Sequence, residues 1–490
     1  MREQLLHLPR DSDKTLQAQI REMLVCAILD GNIPPGSPLP SGRKLAQQLD
    51  VARNTVVLAY QQLVDEGYLL ARERSGYYVS EDIMRGVAEA PPRERPRGEH
   101  APDWEARFSA SLTEHQHVRV PPDWQDYDYP FVRGQFDPIM FPVADWRDAV
   151  RQSLSLRSIR EWAGDAVEDD DALLVEQLRT RVLPRRGVLA QADEILVTLG
   201  TQQGLYLLSQ LLMDRDSVVG IEDPGYPDAR NVFLMRTPQL RPLPVDREGL
   251  VVDSRVDDCD YVYVTPSHQY PTTVTLSLAR RRALLDKAAE HDFVIIEDDY
   301  ESETNYIGEP TPALKSLDDN QRVIYLGSMS KYLAPGLRIG YMVGPAELIR
   351  EARILRRLML RHPPANNQRT IALFIAQGHH DSLIRRIAHT FRDRWQVMRD
   401  ALHHYMPGMS ETPSFGGSAY WIEGPPQLDG ARLYAEARRE SILIDQGYLR
   451  FLSDDPPMNY FSLSFSSIGI ERIEPGIREL ARLVERLSAR

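Results

Sequence analysis

Apolar residues recur at helical spacing along LQAQIREMLVCAILDGNI, at Leu16, Ile20, Leu24 and Ala27 or Ile28, and Asp30–Gly31 end the stretch. After the turn-rich PPGSPLPSG, Ser41 is placed to cap a second helix, SGRKLAQQL, with Leu45, Ala46 and Leu49 facing inward. A short turn leads to RNTVVLAYQQLVDEG, whose Val56, Ala59, Tyr60 and Leu63 share one face before Gly67. The segment YLLARERSGYYVS then predicts two short strands joined by a tight turn at Ser75–Gly76. Two helices meeting across a short turn and followed by a hairpin predict a winged helix-turn-helix over residues 1–80.

The pattern changes over residues 81–125. Pro91, Pro92, Pro96, Pro102, Pro121 and Pro122 stand among charges and few aliphatics, which predicts an extended, semi-stiff linker with a local helix near Trp104 to Leu112. From residue 126 to 490 the chain alternates. The short apolar runs EILVTLG, SVVGIED, YVYVTP, FVIIEDD and VIYLGS are separated by helical stretches such as QGLYLLSQLLM and LARRRALLDKAAEH. That alternation predicts an α/β domain with a largely parallel sheet, which binds ligands beyond the carboxyl ends of its strands.

Composition adds limits. The 490 residues are 42% hydrophobic and 26% charged, as in a globular protein of more than one domain, and no apolar run reaches the roughly 20 residues of a membrane span. The charged, proline-interrupted MREQLLHLPRDSDK is unlike a secretory leader, and Cys26 and Cys259 lie far apart without metal-ligand spacing, so a cytoplasmic protein with reduced thiols and no metal is expected. The net charge of −13 argues against nucleic acid until its distribution is considered. Residues 1–80 hold nine Lys/Arg and nine Asp/Glu, so the deficit lies downstream. Charge alone does not make the head a DNA binder, and pattern must decide.

In that head, Arg53, Asn54 and Thr55 begin the third helix, on the side where a recognition helix meets base edges, while Arg43 is placed to reach phosphate. In the large domain the main chemical signal is GSMSKYLAPGLRIGY, residues 327–341. A lysine that forms a Schiff base needs phosphate donors beside it, because the cofactor's phosphate anchors the aldehyde. Ser328 and Ser330 flank Lys331 for that role, and Arg338 is suited to clamp the phosphate. Thr201 and Gln202, opening a helix after the strand EILV, make a second phosphate wall. In VIIEDDY, Asp298 is expected to pair with a protonated pyridine nitrogen and Tyr300 to point at the ring's phenolic oxygen. Tyr226 in EDPGYP is suited to stacking, although a core aromatic is the plainer reading of it alone.

The segment LPSGRKLAQQLDVARNTVVLAYQQLVDEGYLLARERSGYYV resembles the GntR-type winged helix over nearly its whole length. The resemblance implies DNA contacts from Ser41, Arg43, Arg53, Thr55 and Gly76. Ala52 departs from the family's usual serine cap. From about residue 130 onward the chain resembles the fold type I aminotransferases, and the fusion of the two is the architecture of the MocR family, of GabR type. This implies pyridoxal 5'-phosphate on Lys331, a head-to-tail homodimer with the cofactor at the subunit interface, and operator DNA of direct or inverted repeats as partner.

Three departures bear on activity. WAGDAVEDD has Ala163 where aminotransferases place a phosphate-contacting tyrosine, and NYFSLSFSS has Ser462 where they place the arginine that grips a substrate carboxylate. Asp228 stands where GabR-like proteins carry an arginine. Ordinary transamination is therefore disfavoured. Asp228 favours a cationic, amine-rich effector, unless Arg230 or another arginine substitutes from a neighbouring position. The expected function is a regulator sensing an amine or amino-acid-like effector at the Lys331 Schiff base. A working aminotransferase with a DNA-binding arm and a sensor of pyridoxal phosphate itself are the alternatives.

Overall fold

The computed structural model describes residues 8, 14–73, 75–83, 101–109, 112, 113, 115, 117–305, 307, 311–329, 331–410 and 416–489. It divides into two units, Met1–Ala110 and Ser111–Arg490. Residues 84–100 of the expected linker lie outside the described residues. The local helix expected near Trp104 to Leu112 is a single 3-10 turn, Glu105–Arg107, with Trp104 and Phe108 exposed around it. With no aliphatic stripe to bury, nothing extends it further.

The first unit holds α1 (Leu16–Leu29), α2 (Gly42–Leu49), α3 (Arg53–Asp65) and an antiparallel hairpin of β1 (Leu69–Arg72) and β2 (Gly76–Val79). Ile20, Leu24, Ile28, Leu45, Val56, Ala59, Tyr60 and Leu63 close its core. Leu16, expected on the inner face, is exposed, because the first turn of α1 runs past the end of that core. The hairpin turn falls one residue earlier than expected: Arg72 pairs with Gly76, so the turn lies before Gly76, which opens β2 at φ +104°. Arg72 lies over the Tyr78 ring, 4.4 Å from its centroid.

Ser41 caps α2, its hydroxyl accepting from the Lys44 N–H at 3.3 Å. At the start of α3, Ala52 provides no side-chain cap. Ala52→Ser is therefore expected to stabilise the head by about 1 kcal/mol, read as a rise in the unfolding midpoint of a head fragment with its slope unchanged.

The second unit is built on a sheet of eight strands: β4 (Ile195–Thr198), β5 (Val219–Asp223), β6 (Leu240–Asp246), β7 (Gly249–Leu250), β8 (Tyr261–Val264), β9 (Val294–Asp299), β10 (Val323–Ser328) and β11 (Gly340–Val343). Their order is β4-β11-β10-β9-β8-β5-β6-β7. Strands β6, β5, β8, β9 and β10 are mutually parallel, whereas β11 runs antiparallel to both neighbours and β7 closes the far edge antiparallel. Helices such as Thr201–Leu212 and Leu278–His291 flank it, and the central strands are buried along their length, as the apolar runs require. A second small sheet, ordered β12 (Ala419–Glu423), β15 (Tyr460–Ser464), β14 (Asp445–Gln446), lies towards the C-terminus. Beside it β13 (Ile442–Leu443) pairs with β3 (Tyr129–Pro130), which brings the start of this unit onto its end.

Candidate cofactor and effector site

The parallel register sets Leu326 opposite Asp298 and Gly327 opposite Asp299, so β9 and β10 deliver their carboxyl ends to one edge of the sheet. Strand alternation then sorts the three acids of β9. Glu297 accepts the N–H groups of Leu314 and Lys315 at 2.8 and 2.7 Å, and Asp299 accepts from Arg186 Nε and the Tyr325 hydroxyl, both at 2.8 Å. Asp298 points the other way. Its Oδ2 accepts from the Tyr263 hydroxyl at 3.0 Å, and its Oδ1 is buried with no partner among the described residues. Burial pushes the Asp298 carboxyl up to about 7, against that hydrogen bond and the nearby Lys331 charge, which favour ionisation.

Lys331 follows β10 and ends 5.6 Å from the Tyr300 ring centroid. Water reaches part of its side chain, yet the surroundings are dense enough that burial lowers the ammonium pKa, the Arg133 guanidinium adding to this and Glu301 and Asp298 opposing it. The Tyr300 hydroxyl is buried without a partner among the described residues. Ser328 is the buried last residue of β10, and Ser330 lies outside the described residues.

Gly200, at φ +89°, precedes the helix Thr201–Leu212, and a Cβ there would stand 3.0 Å from Arg338 Nη2. A Cβ on Gly340 would come within 2.7 Å of the Gly200 Cα. Two glycines thus let Arg338 lie against the loop before that helix, where its Nη2 donates to the Leu199 carbonyl at 2.7 Å. Thr201 and Gln202 open the helix, and Gln202 Oε1 accepts from the Tyr226 hydroxyl at 3.3 Å.

A pyridoxal phosphate fits these residues. Among the described residues Asp298 Oδ1 lacks a donor and the Tyr300 hydroxyl a partner, Lys331 would supply the amine, and Gly200 to Gln202 with Arg338 would receive the phosphate.

The effector candidates are placed differently from one another. Asp228 is about half exposed, near His117 Nδ1 at 3.5 Å and accepting from the Tyr226 hydroxyl at 3.3 Å. Ser462 is fully buried on β15. Arg230 donates to the carbonyls of Phe451 and Leu449 at 2.8 and 3.3 Å, which ties down the loop after β14. Ala163 ends the helix Leu156–Trp162, and the acids that follow are held in ion pairs: Asp165 with Arg361, Asp170 with Arg353 and Arg356, Asp171 with Arg369.

Sequence reasoning missed Arg133, Tyr270, Asp445 and Arg450. Arg133 donates through Nε to Ser462 Oγ at 2.9 Å and through Nη2 to the Pro271 carbonyl at 2.5 Å, and its backbone N–H reaches Asp445 Oδ2 at 3.1 Å. Tyr270 packs edge-on against Tyr226 and Tyr300, with ring centroids 5.2 and 6.1 Å apart. The available signal was an arginine directly after the apolar pair Phe131–Val132 and before Gly134.

In the head, Arg53 and Asn54 are exposed at the first turn of α3, Arg43 is exposed at the start of α2, and Gly76 is exposed at the hairpin tip. Thr55, expected on the open side, is half-buried. Among the described residues no group of three or more His, Cys, Asp or Glu is arranged to hold a metal, and no helix is long and apolar enough to cross a membrane.

Fold and site together define a gntR-type winged helix-turn-helix joined to a fold type I aminotransferase-like domain. Residues 16–79 match the bacterial regulatory proteins of the gntR family, and residues 168–452 match aminotransferase class I and II. The chain is 40% identical to the HTH-type transcriptional regulator TauR of Rhodobacter capsulatus, over 96% of each chain. It is 31% identical to the probable rhizopine catabolism regulatory protein MocR of Rhizobium meliloti, over 80% of this chain and 78% of that one. The kynurenine aminotransferase of Pyrococcus horikoshii, solved in complex with PMP, superposes with a TM-score of 0.71 at 28% identity, covering 78% of this chain and 98% of that one. The chain belongs to the MocR/GabR-type family of HTH-type transcriptional regulators with an aminotransferase class I and II domain.

Proposed function

We propose that this protein is a DNA-binding transcriptional regulator that holds pyridoxal 5'-phosphate on Lys331 and senses an amine or amino-acid-like effector there. The observation that carries this is the pair of unpartnered buried atoms, Asp298 Oδ1 and the Tyr300 hydroxyl, beside Lys331 in a chain that also bears a gntR-type head. The bound cofactor would supply an electrophilic carbon that exchanges Lys331 for the effector's amine. Asp298 would hold the ring nitrogen's proton, Tyr300 would orient the ring, Tyr226 would pack beside it, and Ser328, Ser330, Thr201, Gln202 and Arg338 would fix the phosphate. The working form is a cytoplasmic homodimer, assembled head to tail, on an operator of direct or inverted repeats. DNA affinity of the purified protein, measured with and without cofactor and across a panel of amines, tests this reading. Affinity that ignores both cofactor and amines would reject it.

The close superposition on a working aminotransferase supports a second reading, an enzyme with a DNA-binding arm. Ser462 weighs against it, since a serine adds no charge of its own at the strand position where aminotransferases place the arginine for the α-carboxylate. Sustained turnover of an amino donor and a keto acceptor would reverse the ranking. Cofactor added to apo-protein, changing DNA affinity with no amine present, would instead mark a sensor of pyridoxal phosphate itself.

On DNA, the exposed Arg53 and Asn54, with Thr55, are assigned to base edges, and Ser41, Arg43 and Gly76 to the backbone. Arg53→Ala is expected to cost about 1–3 kcal/mol at the operator and to relax sequence preference. Arg43→Ala should weaken all sequences alike and lower the salt slope by roughly 1. Binding titrations on operator and random duplexes at several salt concentrations separate the two. Equal losses on both duplexes for Arg53→Ala would remove its base-reading role.

A further inference from the structure

Arg133 is 8% exposed, and three of its donors are spoken for: the backbone N–H on Asp445, Nε on Ser462 and Nη2 on the Pro271 carbonyl. Its fourth polar group, Nη1, is buried with no partner among the described residues. A buried cationic donor left unpaired is costly, so such a group stands ready for an acceptor that arrives with a ligand.

The surroundings say where that ligand lies. Residue 134 follows directly, and a Cβ on Gly134 would sit 3.7 Å from Lys331 Nζ. The Arg133 guanidinium carbon is 5.2 Å from the Tyr270 ring centroid, and Tyr270 in turn packs edge-on to Tyr300, over which the Lys331 amine lies. Arg133 is close enough to depress the Lys331 ammonium. Among the described residues no carboxylate pairs with the guanidinium directly: Asp445 takes the backbone N–H and lies 3.6 Å from Arg450. Arg450 donates through Nη1 to the Gln446 carbonyl and through Nη2 to the Tyr270 hydroxyl, and only its Nε is left without a partner among the described residues.

We propose that Arg133, steered by Ser462, grips an oxyanion at the far end of the effector while the effector's amine takes the place of Lys331. The strand position that would carry a carboxylate-binding arginine has become the acceptor that aims another arginine, from a segment 329 residues away, into the same site. The effector class is an amine bearing an oxyanion. This rests on the reading of Lys331 as the cofactor lysine.

The test is a matched series of ω-amino compounds of equal length ending in carboxylate, sulfonate, phosphonate, neutral amide or a second amine. Each is titrated into the holoprotein while visible absorbance is followed, with calorimetry of the same ligands in parallel. Oxyanion-ended compounds should act at concentrations about 10–100-fold lower than the amide and the diamine, the factor that a charge-assisted bond supplies, and the arms show which oxyanion fits best. Arg133→Gln should abolish that preference while the resting spectrum persists, and Arg133→Lys should restore part of it. A wild-type protein that prefers the diamine or is indifferent to the head group, or an Arg133→Gln protein that keeps the preference, overturns the proposal. If Arg133→Gln fails to fold, the wild-type series and Arg133→Lys still decide. A colourless wild type whose calorimetric binding of oxyanions depends on Arg133 would reject the cofactor reading, and with it the exchange at Lys331, while keeping Arg133 as the oxyanion grip.

Discussion

Lys331→Ala protein should be colourless after desalting, while the wild type is yellow, and the loss of covalently held cofactor should be essentially complete. The chain contains only five lysines, Lys14, Lys44, Lys287, Lys315 and Lys331. Within the large unit the alternatives are occupied: Lys287 pairs with Asp257, and Lys315 lies 3.2 Å from Asp318. Lys331 alone among these three adjoins the unpartnered Asp298 Oδ1 and Tyr300 hydroxyl, and its lowered pKa favours the neutral amine that attacks an aldehyde. The proposed phosphate cradle at Gly200 and Arg338 is untouched by the substitution, so weak, dialysable binding should remain. Borohydride reduction of the wild type followed by peptide mapping should place a pyridoxyl group on Lys331. A label on Lys287 or Lys315 would defeat the assignment.

An isolated fragment of residues 1–80 should bind the operator some 10²–10⁴-fold more weakly than the full chain, the gain that the proposed dimer would provide by linking two heads at matched spacing. The head has its own closed core and should fold, so a loss of affinity would not reflect unfolding. Its nine basic and nine acidic residues balance, which leaves little long-range attraction for phosphate. The uncapped start of α3 further weakens the element that carries Arg53. Bivalence of the proposed dimer would then be the main source of affinity. Moving one half-site by half a helical turn should remove most of the full chain's advantage. A fragment that holds a single half-site as tightly as the full protein holds two would refute this account.

Much of the molecule is legible locally. Helical spacing marks α1 to α3, the residues of the hairpin lie within a dozen positions of one another, and the apolar runs of the large domain are its buried strands. Lys331, Ser328 and Arg338 belong to one short segment, so their chemistry is written contiguously. Alternation along β9 also requires that Asp298 face away from Glu297 and Asp299.

Which of those faces meets the site is decided by the sheet, through the register of β9 with β10 and the helices covering its other side. The turn of the wing and the exposure of Leu16 were likewise settled by where the small core ends. The Arg133 cluster lies further still from anything local. Its hydrogen bonds join residues 138, 312 and 329 positions apart, from the β3 end, the Tyr270 loop, β14 and β15. A side-chain bond between such distant positions leaves no periodicity along the chain, and a serine in place of an arginine reads only as a loss. Folding brings a second arginine against that serine, and the buried, unpaired nitrogen that results exists only in three dimensions.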